Sequence, residues 1–245
     1  MTHEQHLVEW NDEKIGRFWD YYSNCDAFND TWFTKQAGKA ILNFVKRHVI
    51  IRGDVLDYGA GKGFLSAILV KYSSVMLSAC DFSGQVTAFN NRLLQYSSNY
   101  RGCKLIRLFP SEFKDNQFDI VFLVEAIEHL SDAYLYPTIS EITRILKPGG
   151  KIIVTTRNNE MLDALNVMCP DCGCVFHRVQ HMRSFTQRSM KDIMGRFGFK
   201  MHYCRGLNIS DYGDMSILRK IFINCRNVID KTRQKPDLIY IAEKT

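Results

Sequence analysis

The sequence has no run of eighteen apolar residues, which excludes a helical membrane span. Its opening, MTHEQHLVEW, lacks the basic stretch followed by an apolar one that a secretory leader requires, so a cytoplasmic protein is expected. No internal repeat or low-complexity segment is present, and proline is scarce, with five in 245 residues. Hydrophobic residues at 46% and charged residues at 24% match ordinary soluble domains and exclude disordered, collagen-like and coiled-coil chains. Eight cysteines are too few for a disulfide scaffold and are expected to be reduced thiols. At roughly 150 residues per domain, the length fits one domain with elaborations, or one domain plus a small cap.

The net charge of +6 arises in the second half. Residues 178–235 hold 13 Lys/Arg against four acids, which implies an anionic ligand or a solvated basic face.

Residues 12–22 and 34–49 have helical apolar spacing and form an expected amino-terminal helical cap over 1–50. Strands and helices then alternate. Val55–Asp57, Val75–Cys80, Leu105–Leu108, Phe118–Val124 and Lys151–Thr155 read as strands; Leu65–Tyr72, Val86–Tyr96 and Leu135–Leu146 read as helices, the last closed by Lys147-Pro148-Gly149-Gly150. Alternation of this kind implies right-handed crossovers and a parallel sheet covered by helices on both faces. Residues 157–183 break the rhythm and read as an irregular insertion. A helix over 184–197, strands over 199–205 and 238–242, and a basic amphipathic helix around 215–229 complete the 51–245 domain.

The turn after the first of these strands is G-x-G-x-G. A dinucleotide fingerprint needs its third glycine at position 64, which is Phe64, and a P-loop needs Ser or Thr after Lys62, where Gly63 stands. Asp81, at the end of the second strand, is placed to accept ribose hydroxyls.

VLDYGAGKG, CDFS, FDIVFLVEAIEHL and ILKPGGKIIVTT, in that order over residues 50–156, resemble the class I S-adenosylmethionine-dependent methyltransferases. The resemblance implies a Rossmann-like α/β fold: a seven-stranded, mostly parallel sheet ending in an antiparallel hairpin, here with a Cys/His insertion. It also implies S-adenosylmethionine as cofactor. Asp57, Gly59, Ala60 and Gly61 would hold its methionine end, Asp81 the ribose, with Phe82 beside the adenine and Glu125 at the pocket edge. The adenine amino contact, expected near Phe109-Pro110-Ser111-Glu112-Phe113, has no matching residue and stays unassigned.

Glu125, Glu128 and His129 have i, i+3, i+4 spacing, which places them on one face of a helical turn. Three roles compete: His129 as general base toward a hydroxyl, with Glu125 and Glu128 in the same catalytic cluster; the three as ligands of a divalent cation; or a structural turn. EAIEHL resembles a motif of quinone O-methyltransferases and of small-RNA 2′-O-methyltransferases. In the latter it binds metal with a later histidine, a role open to His177 or His181.

The insertion carries C-x2-C, four residues, then H-x3-H, spacing that suits tetrahedral zinc on Cys169, Cys172, His177 and His181, with Cys174 as rival to either histidine. The functional expectation is O-methylation of a small molecule; together with the DEKIGRFWDYYS opening and the C-P-x-C-G-x-x-F-H insertion, the chain resembles bacterial methyltransferases of surface glycans, which implies an anionic sugar. An RNA substrate and a non-catalytic cofactor-binding subunit are the alternatives.

Overall fold

A computed structural model describes residues 4–213 and 235–245. In chain order its elements are β1 (His6–Leu7), α1 (Asp12–Asn24), α2 (Phe33–Val45), β2 (Gly53–Tyr58), α3 (Phe64–Leu69), β3 (Val75–Asp81), α4 (Gly84–Leu94), β4 (Tyr100–Leu105), β5 (Phe118–Val124), α5 (Asp132–Ile145), β6 (Leu146–Arg157), β7 (Asn166–Met168), β8 (Cys174–His177), α6 (Gln187–Gly195), β9 (Phe199–Leu207) and β10 (Asp237–Lys244). The basic helix expected around 215–229 lies outside the described residues.

Seven strands form one sheet in the order β4-β3-β2-β5-β6-β10-β9. The first five run parallel, and β10 lies antiparallel between β6 and β9, giving the final hairpin. The inner strands are buried on both faces, so they read as continuous apolar runs: in FDIVFLV, Phe118, Ile120, Val121, Phe122, Leu123 and Val124 are all buried. One face packs α5 and α6 through Ile139, Ile142, Met190 and Met194; the other packs α2 and α3 through Ile41, Leu42, Leu65 and Leu69. The chain winds outward from β2 to β4, then returns to β5 on the other side of β2. The switch point opens a crevice at the carboxyl ends of β2 and β5, where open α/β sheets bind ligands.

Two expected elements sit elsewhere. The edge strand is 100–105 rather than 105–108, and Lys147-Pro148-Gly149-Gly150, expected to close a helix, forms the start of β6. The insertion is not wholly irregular either. β7 and β8 make an antiparallel hairpin, and the two-residue β1 adds to β8 in parallel to give a separate three-stranded sheet. No helix among the described residues is long and apolar enough to cross a membrane.

Candidate active site

The loop after β2 is stitched to the end of β3. Gly59 and Ala60 donate their N–H groups to the Cys80 carbonyl at 2.9 and 3.0 Å, and Gly61 donates to Asp81 Oδ2 at 2.9 Å. From the other side, Asn90 Nδ2 on α4 donates to the Gly61 carbonyl at 2.6 Å. Gly61 has a φ of 51°, and a Cβ there would lie 2.7 Å from Trp32 Cζ3, so glycine is required both by conformation and by the indole above it. Asp81 also accepts from the Ser83 N–H at 2.9 Å. Burial raises its carboxyl above the usual range, against the lowering effect of these N–H donors. Asp57 plays a different part: buried, it accepts from Ser66 Oγ at 2.6 Å and fastens β2 to α3, and burial pushes its carboxyl up to about 6.

This loop forms one end of a cleft that encloses about 1000 Å³ when the space open to solvent is counted. Gly59, Gly61, Asp81 and Phe82 line one part; Glu125, Ala126 and His129 line another. Trp19, Trp32, Ile106, Phe109 and Tyr134 make its walls predominantly apolar. Ile106 and Phe109 thus border the region where the sequence offered no adenine contact. The Arg107 guanidinium lies 5.7 Å from the centre of the Phe82 ring, and the Tyr134 ring meets that ring edge-on at 5.6 Å.

Glu125 follows β5 with a φ of 48°, a left-handed residue that turns the chain into a short 3-10 turn, Ile127–His129. Its Oε1 accepts from Thr155 Oγ1 on β6 at 2.8 Å, and burial lifts its carboxyl to about 7. Glu128 is 1% exposed, and its carboxyl interacts with the side chains of Glu125 and Thr156. Burial first, and the Glu125 charge second, raise it well above the ordinary carboxylate range. The His129 ring meets Trp19 edge-on at 4.9 Å, and its Nδ1 contacts the Gln180 carbonyl at 3.3 Å. Burial pulls the imidazole down to about 3, so it is neutral at physiological pH.

The structure does not assemble Cys169, Cys172, His177 and His181. Cys169 and Cys172 occupy the tip of the β7–β8 hairpin, where Cys169 N–H donates to the Cys174 carbonyl and Gly173 N–H to the Cys169 carbonyl, both at 2.9 Å. His177 pairs with Asn166 at the opposite end of that hairpin. Three residues of strand, about 10 Å, separate Cys174 from His177. The histidines turn inward instead. His181 Nδ1 meets Glu160 Oε2 at 2.5 Å, His177 stacks on His181 with ring centres 4.6 Å apart, and His181 stands 4.8 Å from the His129 ring. Among the described residues, the groups whose potential ligand atoms lie within 4.8 Å of one another are Glu128, His129, His181 and Glu160, His177, His181, with no cysteine in either.

The model of the methyltransferase domain family matches residues 19–203, more than half of the chain. The chain belongs to that family. Its sheet order and hairpin are those expected of the class I S-adenosylmethionine-dependent methyltransferases. The mitochondrial ubiquinone biosynthesis O-methyltransferase of Dictyostelium discoideum is 26% identical over 133 residues, 49% of this chain and 40% of that protein. Phosphoethanolamine N-methyltransferase 2 of Caenorhabditis elegans is 29% identical over 102 residues, 41% of this chain and 23% of that protein. The chain therefore spans less than half the length of these curated relatives. Among solved structures, a SAM-dependent methyltransferase from Aquifex aeolicus superimposes with a TM-score of 0.60 at 14% identity, covering 97% of this chain and 100% of that one. The 1,6-didemethyltoxoflavin-N1-methyltransferase of Burkholderia thailandensis, solved with its substrate and S-adenosylhomocysteine, gives a TM-score of 0.67 at 15% identity, covering 99% and 93%. At such identities these two show the fold.

Within this methyltransferase domain, the residues that sequence reasoning left out are informative. Glu160 stands three residues beyond β6 in no recognisable motif, and Gln180, fully buried with a φ of 60°, has no periodic signal. Trp19 and Trp32 were visible only as an aromatic-rich start that could fold over the pocket or pack in the core; both now line the cleft.

Proposed function

We propose that the chain transfers the methyl group of S-adenosylmethionine to a hydroxyl of a small, largely apolar acceptor. The observation that carries this reading is one cleft holding the glycine loop and Asp81 in one part and the carboxylate of Glu125 beside His129 in another. The cofactor's ribose would lie on Asp81 and its adenine beside Phe82, with Gly59, Ala60 and Gly61 giving the backbone close access to the methionine end. Transfer is an in-line displacement: the acceptor oxygen forms a bond to the methyl carbon as the carbon–sulfur bond breaks. The walls align the partners, a contribution of up to about 7–11 kcal/mol in favourable cases. The hydroxyl proton leaves toward the Glu125 carboxylate, the acceptor in the cleft lining, beside a neutral His129.

The ubiquinone O-methyltransferase relatives support oxygen as the acceptor atom. An aromatic acceptor agrees with walls made by Trp19, Trp32, Phe109 and Tyr134. The anionic sugar expected from the sequence has less support, because no Lys or Arg lines the cleft among the described residues. An RNA substrate would draw on the basic stretch of 178–235, of which residues 214–234 lie outside the described residues. A reduced, cytosolic setting fits the free thiols.

The deciding experiment is transfer of labelled methyl from S-adenosylmethionine to a panel of phenols, catechols and aromatic amines. Methylation of hydroxyl acceptors, with Glu125→Gln lowering turnover by about 10²–10⁴-fold while S-adenosylhomocysteine still binds, is the expected result. Transfer to amines alone would refute the choice of oxygen. A steep loss of acceptor binding with salt would instead point to many phosphate contacts, as in RNA.

A further inference from the structure

Two buried polar groups in the wall of the cleft have no partner within the protein: the indole N–H of Trp32 and the hydroxyl of Ser23. A buried donor left unmet is costly, so a pair of them facing one cleft points to a ligand that supplies acceptors. Trp19, in the same wall, shows the contrast, since its Nε1 donates to Gln180 Oε1 at 2.8 Å. Both orphan groups belong to the amino-terminal segment. Asp12, Ile15, Trp19 and Ser23 recur every three or four residues, so α1 turns one face toward the cleft, and Ser23 ends that face. The neighbours of Ser23 fix its place: Asp20 Oδ1 accepts from Ser83 Oγ at 3.2 Å, and Asn24 Nδ2 donates to Gln85 Oε1 at 2.6 Å. Ser83 N–H in turn binds Asp81, so Ser23 is held near the end of β3. Trp32, just ahead of α2, has its ring against Gly61, whose N–H binds the other oxygen of Asp81. The two orphan groups thus flank the Gly61–Asp81 junction.

The core of the domain leaves the negative end of the cofactor short of donors. The N–H groups of Gly59 and Ala60 go to the Cys80 carbonyl, that of Gly61 to Asp81 and that of Gly63 to the Ala60 carbonyl, so these four are occupied inside the loop. No Lys or Arg lines the cleft among the described residues, and Lys62 turns to Asn29 Oδ1 at 2.5 Å. An indole N–H only donates, which narrows its partner. At the methionine end the amino group is itself a donor and the sulfonium is cationic, so the carboxylate is the group that accepts. We propose that Trp32 Nε1 and Ser23 Oγ bind the carboxylate of the cofactor's methionine end. The assignment rests on the cofactor placement given above, with Asp81 on the ribose and the glycine loop at the methionine end, and is independent of the acceptor atom. Hydrogen bonds to a charged acceptor are the stronger class, and the apolar walls around these two strengthen them further. The core of the domain thus holds the adenosine half of the cofactor, and the amino-terminal segment holds its charged tail.

The test is calorimetry of two ligands on the full chain: S-adenosylhomocysteine, which carries the amino-acid tail, and methylthioadenosine, which ends in a methyl group at the sulfur. Trp32→Phe keeps an aromatic ring and removes the N–H. It should weaken S-adenosylhomocysteine binding by about 10–100-fold, the scale of a lost hydrogen bond to a charged group. Ser23→Ala should weaken it by about tenfold. Both variants should bind methylthioadenosine as the wild type does. Equal loss of both ligands would show that the indole acts by packing on adenosine and overturns the assignment, as does unchanged affinity for S-adenosylhomocysteine. Ser23→Ala removes a single oxygen and keeps the test sound if Trp32→Phe fails to fold. Asp81→Ala separates the cofactor placement from the carboxylate contact, because it should weaken both ligands. No effect of Asp81→Ala on either ligand, with selective losses in the Trp32 and Ser23 variants, upholds the contact and overturns the ribose placement.

Discussion

His129 and Gln180 hold each other by two reciprocal bonds, His129 Nδ1 to the Gln180 carbonyl and Gln180 Nε2 to the His129 carbonyl. Gln180 Oε1 also accepts from Trp19 Nε1 at 2.8 Å. One side chain thus joins α1, the turn after β5 and the insertion. Gln180→Ala leaves the indole N–H and the His129 carbonyl without these partners, each costing about 1–3 kcal/mol when buried, with water in the adjoining cleft offsetting part. A loss of about 2 kcal/mol in denaturant unfolding is expected. A change below about 0.5 kcal/mol would show that the three segments are held without it.

The second prediction concerns Gly61. Alanine there must adopt a left-handed φ, a cost of roughly 1–2 kcal/mol, and press against the Trp32 ring. S-adenosylhomocysteine affinity should fall at least about tenfold by calorimetry. Adding Trp32→Leu to Gly61→Ala should not restore it, since the backbone strain stays and the indole N–H goes with the ring contact. Full recovery would place the whole effect on the indole.

The sheet was legible because its inner strands are buried on both faces. FDIVFLV can be little else, and VLDYGAGKG joins a strand to a helix through glycines. Legibility fails where burial is one-sided or pairing is remote. In β4 only Cys103 is buried, so the apolar Leu105–Leu108 drew the strand assignment beyond its real span. β1 joins β8 across more than 160 residues of chain, a pairing for which two residues carry no local signal. The Cys/His spacing suggested one zinc site because sequence distance says nothing about the ends of a hairpin. Glu160 was invisible because a carboxylate that hydrogen-bonds a histidine has no fixed spacing from it in sequence.

Cysteine reactivity provides a third prediction. Hydrogen bonds from the Cys172 and Asp171 N–H groups to Cys169 lower its thiol pKa, whereas burial raises Cys80, Cys103 and Cys204. Because the thiolate is the nucleophile, a short pulse of iodoacetamide near neutral pH should modify Cys169 well before these three. Peptide mass spectrometry reads the order. Cys80 reacting as fast as Cys169 would contradict the buried position of β3.

The last prediction is a pH dependence of stability set by Asp57. Its carboxyl is raised from 3.8 in the unfolded chain to about 6 in the fold, chiefly by burial, so the folded state holds its proton where the unfolded state has released it. The sign follows from linkage: the native protein binds more protons between these values, and stability falls as pH rises through the window from about 4 to about 6. At 1.36 kcal/mol per pKa unit, the fall attributable to this group is of order 3 kcal/mol. Asp81, Glu125 and Glu128 are raised in the same direction, so the wild-type slope alone does not isolate it. The comparison with Asp57→Asn does. The variant should lack this part of the slope, and its stability relative to wild type should improve steadily from pH 4 to pH 6.5 in urea unfolding of the cofactor-free protein. Ser66→Ala supplies an independent check: the Ser66 hydrogen bond favours the carboxylate, so removing it should push Asp57 higher and extend the falling limb to higher pH. Parallel stability curves for wild type and Asp57→Asn would show that Asp57 ionises in the fold at its ordinary pH, and that the β2–α3 junction admits water.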